Sequence, residues 1–180
     1  MSTGGETARA ILLRRSRFGD SSLIVSWITD SLGRIDTGAR GALKPGGRFS
    51  GLLDLFRECE ITVARPKRGD LWELREAALI RSHDDLGRSA PALQLAGYLC
   101  ELVRLATEPE HPVPEIHELL SRALTYLETR DPSVRLLHRF ERRLAGLLGI
   151  AGSSEPAERA LVRHLHRLPS TRGPLIVSLS

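Results

Sequence analysis

Between Gly38 and Gly51 the chain reads GARGALKPGGRFSG. These are residue types that handle phosphate. Glycines let the backbone bend and bring N–H groups close to an anion, and Arg40, Lys44 and Arg48 supply positive charge beside the ring of Phe49. A nucleotide cradle of the P-loop kind needs a lysine directly after its second glycine, then Ser or Thr. Gly41 and Gly46 have the cradle's separation, but Gly47 and Arg48 follow, so a nucleotide triphosphate fits poorly. A polymer backbone asks for less: a basic groove with aromatic faces on which bases stack is enough to hold single-stranded nucleic acid. Arg34 adds a cation just upstream, and Arg14, Arg15 and Arg17 with Phe18 form a second cluster that again pairs cations with a ring. The candidate nucleic-acid contacts are therefore Arg34, Arg40, Lys44, Arg48 and Phe49, together with Arg14, Arg15 and Arg17.

A third basic group has helical spacing. Arg135, Arg139 and Arg142 follow one another at four and three residues and so share a helix face, with Arg143 beside them. Like charges so placed cost about 0.2–0.5 kcal/mol per pair at low salt, and a chain that tolerates the cost is suited to an acidic partner. Arg163 and Arg167 repeat the spacing further on.

Catalysis finds no constellation. His83, His111, His117, His138, His164 and His166 are scattered, without the i, i+4 pair and adjoining acid of a helical zinc site, and no Gly-x-Ser-x-Gly elbow occurs. Glu58 and Glu60 share a strand face, as any solvated alternation would place them. Cys59 and Cys100 sit far apart in apolar patterns, the mark of buried thiols in a reducing compartment rather than a disulfide or a metal site. Neither a cofactor nor a metal is expected. The opening MSTGGETARA reads as a loose N-terminus without a signal peptide, and no apolar run is long enough to span a membrane. The net charge of +4 comes almost wholly from arginine, Lys44 and Lys67 being the only lysines.

Two kinds of element must position these groups. From Ala8 to about Arg81 the rhythm is that of strands: ARAILLRR, SSLIVSWITD, GRIDTGARGA, LFRECEITVAR and LWELREAALIRS. In RECEITVAR the residues Cys59, Ile61 and Val63 point one way and Glu58, Glu60 and Thr62 the other, and RPKRGD then turns the chain at Pro66 and Gly69. Five strands with short connections favour a closed barrel, which removes sheet edges, and the five-stranded OB barrel is the natural form. After SHDDLGRS the period becomes helical. Leu95, Leu99, Leu102 and Ala106 form one stripe, and Leu120, Ala123, Leu124 and Leu127 a second. Asp131 and Pro132 read as cap and first residue of a third helix ended by Gly149, and Ser154 and Pro156 open a fourth that Pro169 closes. The expected fold is α+β: an OB-fold β-barrel over residues 1–82 that binds nucleic acid, then an all-α domain over 83–180.

Over some fifty residues the barrel half resembles the bacterial recombination mediator family RecO. The family's pattern is matched by Gly33, Arg34, Ala39, Arg40, Gly41, Ala42, Lys44, Pro45, Arg48, Phe49, Gly51, Leu53 and Phe56. A second match is a helix motif that covers Arg139, Phe140, Glu141, Leu144, Leu148 and Gly149. The sequence departs in carrying Asp20 for the usual glutamate, and Leu43, Gly46 and Gly47 at positions often basic. It also lacks the four-cysteine zinc element that many members carry after that helix.

The resemblance implies a non-catalytic protein of DNA repair, DNA recombination and the DNA damage response, cytoplasmic and nucleoid-associated. It would bind single- and double-stranded DNA and anneal complementary strands. With RecR it would load RecA onto DNA coated by single-stranded DNA-binding protein (SSB). Carried across, Arg40, Lys44 and Arg48 are DNA-contacting cations and Arg34 a fourth. Arg139, with Arg135, Arg142 and Arg143, would receive the acidic, apolar C-terminal tail of SSB. A second reading is an adaptor whose helical half binds SSB or another protein while the barrel binds DNA little.

Overall fold

A computed structural model describes residues 5–152 and 155–180. Met1–Gly4 of the expected loose start and Ser154 of the expected fourth helix opening lie outside the described residues; Glu6 is already in a strand. The chain forms two compact units, one of residues up to Ser82 together with Thr107–His117, the other of His83–Ala106 and Glu118–Ser180.

The first unit is the expected barrel. Its strands are β1 (Glu6–Phe18), β2 (Ser22–Thr29), β3 (Arg34–Ala39), β4 (Glu58–Ala64) and β5 (Leu71–Arg81), closed in the order β1-β2-β3-β5-β4. Only β3 and β5 run parallel; the other pairs are antiparallel. This is the OB fold. Alternation drives it: Cys59, Ile61 and Val63 are fully buried, and with Ala10, Leu12, Val25, Trp27, Ile35 and Trp72 they fill the interior. The buried indole of Trp27 donates its Nε1–H to Thr37 Oγ1 at 2.9 Å, so the one polar atom on that ring is satisfied. A bulge falls between Leu12 and Arg14, where β1 carries one residue more than β2.

The segment Thr107–His117 returns to the barrel as a strap. Its Glu110 is the anchor: the backbone N–H donates to Arg34 O at 2.9 Å, and the carboxylate accepts from Trp72 Nε1 at 2.9 Å and Arg65 Nη1 at 3.0 Å. Arg65 lies over the Trp72 ring, 4.5 Å from its centroid, and bonds Glu6 as well at 2.9 Å. Arg34 Nε donates to Thr107 O at 3.0 Å. The strap can lie this close because position 33 has no side chain: a Cβ there would fall 2.5 Å from the backbone of His111.

The second unit is helical, opening with a 3-10 turn (Asp84–Arg88) and continuing in α1 (Ala90–Ala106), α2 (Pro114–Thr129), α3 (Val134–Leu147), α4 (Ala157–Leu165) and α5 (Arg172–Leu179). The two leucine stripes are buried as read. Three local expectations are corrected. The cap of α3 is Ser133, whose hydroxyl accepts from Leu136 N at 3.3 Å, so the helix starts two residues after Pro132 rather than with it. His166, in the left-handed region at φ 62°, ends α4 before Pro169 is reached. And α5 is a fifth helix where four were expected.

Gly33→Ala should destabilise the barrel by more than Gly69→Ala. Both glycines have positive φ, 74° and 75°, so each substitution carries the left-handed penalty of about 1–3 kcal/mol. Only position 33 adds a collision with the strap, and urea melts of the two variants will separate the terms.

Candidate nucleic-acid interface

Strand register brings the first two cation clusters together. Residues directly opposite on neighbouring strands share a face. Arg14 faces Ser26, Arg15 faces Val25 and Arg17 faces Leu23, while Leu23 in turn faces Ala39 of β3. Arg17 thus stands two strand spacings, about 10 Å, from the residue preceding Arg40. The loop after β3 is pinned alongside, since Leu43 N donates to Ser21 O in the β1–β2 turn at 2.9 Å. The second cluster lies on β1 itself, where pairing with β2 continues through Phe18 and Ser22.

The fold then sorts the cations into occupied and available ones. Arg15 donates to Leu53 O at 2.9 Å and pairs with Asp54 at 3.1 Å. Arg48 donates to Arg75 O at 2.6 Å. Arg34 has a side chain only 16% exposed, held by Thr107 O with Asp36 at 4.0 Å, so this expected DNA cation secures the strap instead. Arg14, Arg17, Arg40 and Lys44 are exposed and have no ion-pair partner among the described residues. Phe49 needs a correction too. It is 4% exposed and belongs to the barrel core, because the loop folds its ring inward to plug the open end, and no base can stack on it. Phe18, at 60% exposed, is the ring left outside.

The glycine-rich loop is a run of tight turns. Lys44 N bonds Gly41 O, Gly47 N bonds Lys44 O and Ser50 N bonds Gly47 O, all within 3.1 Å. Those three N–H groups serve the loop and are not open to phosphate, and the positive charge free to meet an anion there is carried by the Arg40 and Lys44 side chains. Sequence reading also misses the β4–β5 turn as a basic site: Lys67 and Arg68 are exposed there, in a stretch whose residues signal only a change of direction.

On α3 the residues divide sharply by face. Arg135, Arg139, Arg142 and Arg143 are exposed with no ion-pair partner among the described residues, and His138 is exposed among them. Glu141 points the other way, 1% exposed at its side chain, and accepts Arg172 Nε at 2.7 Å, Arg172 Nη2 at 3.0 Å and Tyr98 Oη at 2.5 Å. Arg172 also reaches Glu158 at 2.9 Å. The Glu141 hydrogen bonds hold the guanidinium pKa above its ordinary value, and burial, aided by the Glu141 charge, pushes the Tyr98 hydroxyl up. Burial likewise raises Cys59 to about 11 and raises Cys100, which makes both thiols inert. Among the described residues no group of three or more His, Cys, Asp and Glu side chains is placed to hold a metal ion, and no helix is long and apolar enough to cross a membrane.

The fold and this surface define an OB-fold protein with a basic barrel end and a helical unit carrying a cationic helix face. Two family models match in tandem, Recombination protein O N terminal over residues 1–83 and Recombination protein O C terminal over residues 88–153. The chain belongs to the RecO family. It is 34% identical over 141 residues to the DNA repair protein RecO of Rhodopirellula baltica, covering 78% of this chain and 52% of that one. With the DNA repair protein RecO of Syntrophus aciditrophicus it shares 34% identity over 140 residues, 78% of this chain and 54% of that one. With that of Anaeromyxobacter sp. strain K the figure is 30% over 141 residues, 77% and 56%. The chain spans about half the length of the curated relatives it matches.

Removing Arg172 leaves Glu141 buried without its cation. Arg172→Met should therefore cost about 3–5 kcal/mol of stability in a denaturant melt, whereas Arg163→Met, at an exposed pair with Glu155, should cost no more than about 1 kcal/mol.

Proposed function

We propose that the chain is a non-catalytic DNA-handling protein of bacterial recombinational repair, acting in the cytoplasm at the nucleoid. In this reading it binds single- and double-stranded DNA, anneals complementary strands and, with RecR, helps load RecA onto SSB-coated DNA. The observation that carries it is that Arg17, Arg40 and Lys44, exposed and without ion-pair partners among the described residues, are brought by the register and the pinned loop to one end of the barrel beside the exposed ring of Phe18. Cations so placed bind phosphate without selecting sequence, as annealing requires: both strands must be held while base pairing does the matching. Arg15, Arg34 and Arg48 support the surface through the carbonyls they bond.

A second reading is supported by α3. An adaptor that binds the acidic tail of SSB needs cations that no internal carboxylate neutralises, and the inward turn of Glu141 supplies that. The two readings are compatible in one chain, with DNA on the barrel and the tail on the helical unit.

The protein should accelerate annealing of complementary oligonucleotides, and its affinity for single strands should fall steeply with salt. Replacing Arg17, Arg40 and Lys44 together by alanine should make the negative slope of log K against log[salt] shallower by up to about 2, at about 0.7 for each phosphate no longer neutralised. A slope equal to wild type would remove the barrel end from the account. For the helical unit, an acidic peptide with an apolar end should bind the native chain, and Arg139→Ala with Arg142→Ala should weaken it at least about tenfold, with two charge-assisted hydrogen bonds removed. Unchanged peptide affinity would leave α3 without its role.

A further inference from the structure

Past its bulge, β1 keeps a neighbour on one side only. Its last main-chain bonds on the other side are made at Leu12, whose N–H donates to Arg57 O and whose carbonyl accepts from Phe56 N, both at 3.0 Å. Beyond that point residues 14–18 pair with β2 alone, and all of them are exposed. In an antiparallel strand alternate residues turn their N–H and C=O to opposite sides. The outer edge of this stretch therefore presents main-chain donors and acceptors that no main-chain group among the described residues meets. An edge of that kind, about 17 Å long over its five residues, is a template for another strand.

The side chains decide which strand fits. Directly opposite residues share a face, so Arg15 and Arg17 lie on the side of Val25 and Leu23, and Arg14, Ser16 and Phe18 on the side of Ser26, Ile24 and Ser22. Arg15 is taken by Leu53 O and Asp54. Arg14 and Arg17 are left, one on each face, with the exposed ring of Phe18 at the far end. Like charges directly opposite one another destabilise a strand pair. A second copy of this edge would set arginine against arginine and is turned away. A strand with carboxylates opposite Arg14 and Arg17 gains at both, and an apolar residue opposite Phe18 covers the ring. In antiparallel register those positions read apolar, acid, any, any, acid. Nucleic acid does not fit the edge in this way: a phosphodiester offers acceptors but no donors, so it cannot bond the edge's carbonyls.

We propose that the outer edge of β1 over residues 14–18 is a strand-addition site for an extended acidic segment of a partner protein. The segment pairs with the main chain of the edge and sets its carboxylates at Arg14 and Arg17. The inference goes beyond the nucleic-acid reading of the barrel end and does not rest on it, although the two share Arg17.

The probe is a fluorescein-labelled peptide, Val-Glu-Val-Thr-Glu, blocked at both ends and titrated with the native chain at low ionic strength, with binding read by anisotropy. It should bind, and N-methylation of its main chain should matter in one phase only. Methyl groups on the alternate residues that face β1 should weaken binding at least about tenfold, because two or more main-chain hydrogen bonds are lost. Methyl groups on the other residues should leave binding unchanged. Phase separates a ladder from simple charge attraction, since both methylated peptides carry the same side chains. Arg14→Glu with Arg17→Glu should abolish binding of this peptide and confer binding of Val-Lys-Val-Thr-Lys, a gain that an unfolded variant could not show. If the two methylated peptides bind alike, charge alone holds the peptide and the strand-addition site is wrong. If the native chain binds oligo(dT) but not the acidic peptide, the proposal fails while the reading of the barrel end stands.

Discussion

The bulge between Leu12 and Arg14 governs much of the barrel. Before it, β1 pairs with β4 as well as β2 and sends Ala10 and Leu12 into the core. At the bulge one extra residue enters β1, and from Arg14 onward pairing continues with β2 alone. A bulge raises local twist and bends its strand, which is what a small barrel needs of a strand that must serve two neighbours. The freed half of β1 is also where the cations sit. Without a strand on their other side, Arg14 and Arg17 stay exposed, so the device that closes the barrel also opens a surface for a polyanion.

Positive charge alone does not make such a surface; availability does. Arg15, Arg34 and Arg48 each donate to a main-chain carbonyl, of Leu53, Thr107 and Arg75 respectively. A guanidinium has five N–H donors and can tie a loop to a distant segment while retaining its charge. Lysine, a compact point charge, is less suited to bracing, and both Lys44 and Lys67 are in exposed turns. The sequence cannot separate bracing arginines from available ones, because the partners are backbone oxygens 27, 38 and 73 residues away and carry no residue-type signal.

The legible parts of the fold are those with strong periodicity. Period-two burial in Cys59, Ile61 and Val63 and the leucine stripes of α1 and α2 read directly, because their burial is decided by local pattern. The start of α3 is harder to place since Asp131 and Ser133 are both good capping residues, and only the geometry of the entering chain picks Ser133. Phe49 misleads because an aromatic ring among glycines and cations has the same composition whether it plugs a barrel or faces solvent. The strap is invisible for a different reason: Glu110 is polar and its segment lacks period, yet its carboxylate joins Trp72 and Arg65. α5 escapes since RGPLIVSL is short and interrupted by glycine and proline, and what holds it is an ion pair through Arg172 beside one buried leucine, Leu175, rather than an apolar stripe.

That ion pair bears on how α3 can serve a partner. Within one turn of helix Arg139, Arg142 and Arg143 surround Glu141, and an exposed glutamate there would neutralise part of the row. Burying Glu141 is costly unless a cation accompanies it. Arg172 and the Tyr98 hydroxyl meet that cost from α5 and α1. The Recombination protein O C terminal match ends at residue 153, so Arg172 belongs to a segment beyond it while Glu141 lies inside. The basic face of α3 therefore depends on a residue outside the matched region, which acts by keeping the acid inward rather than by touching a ligand.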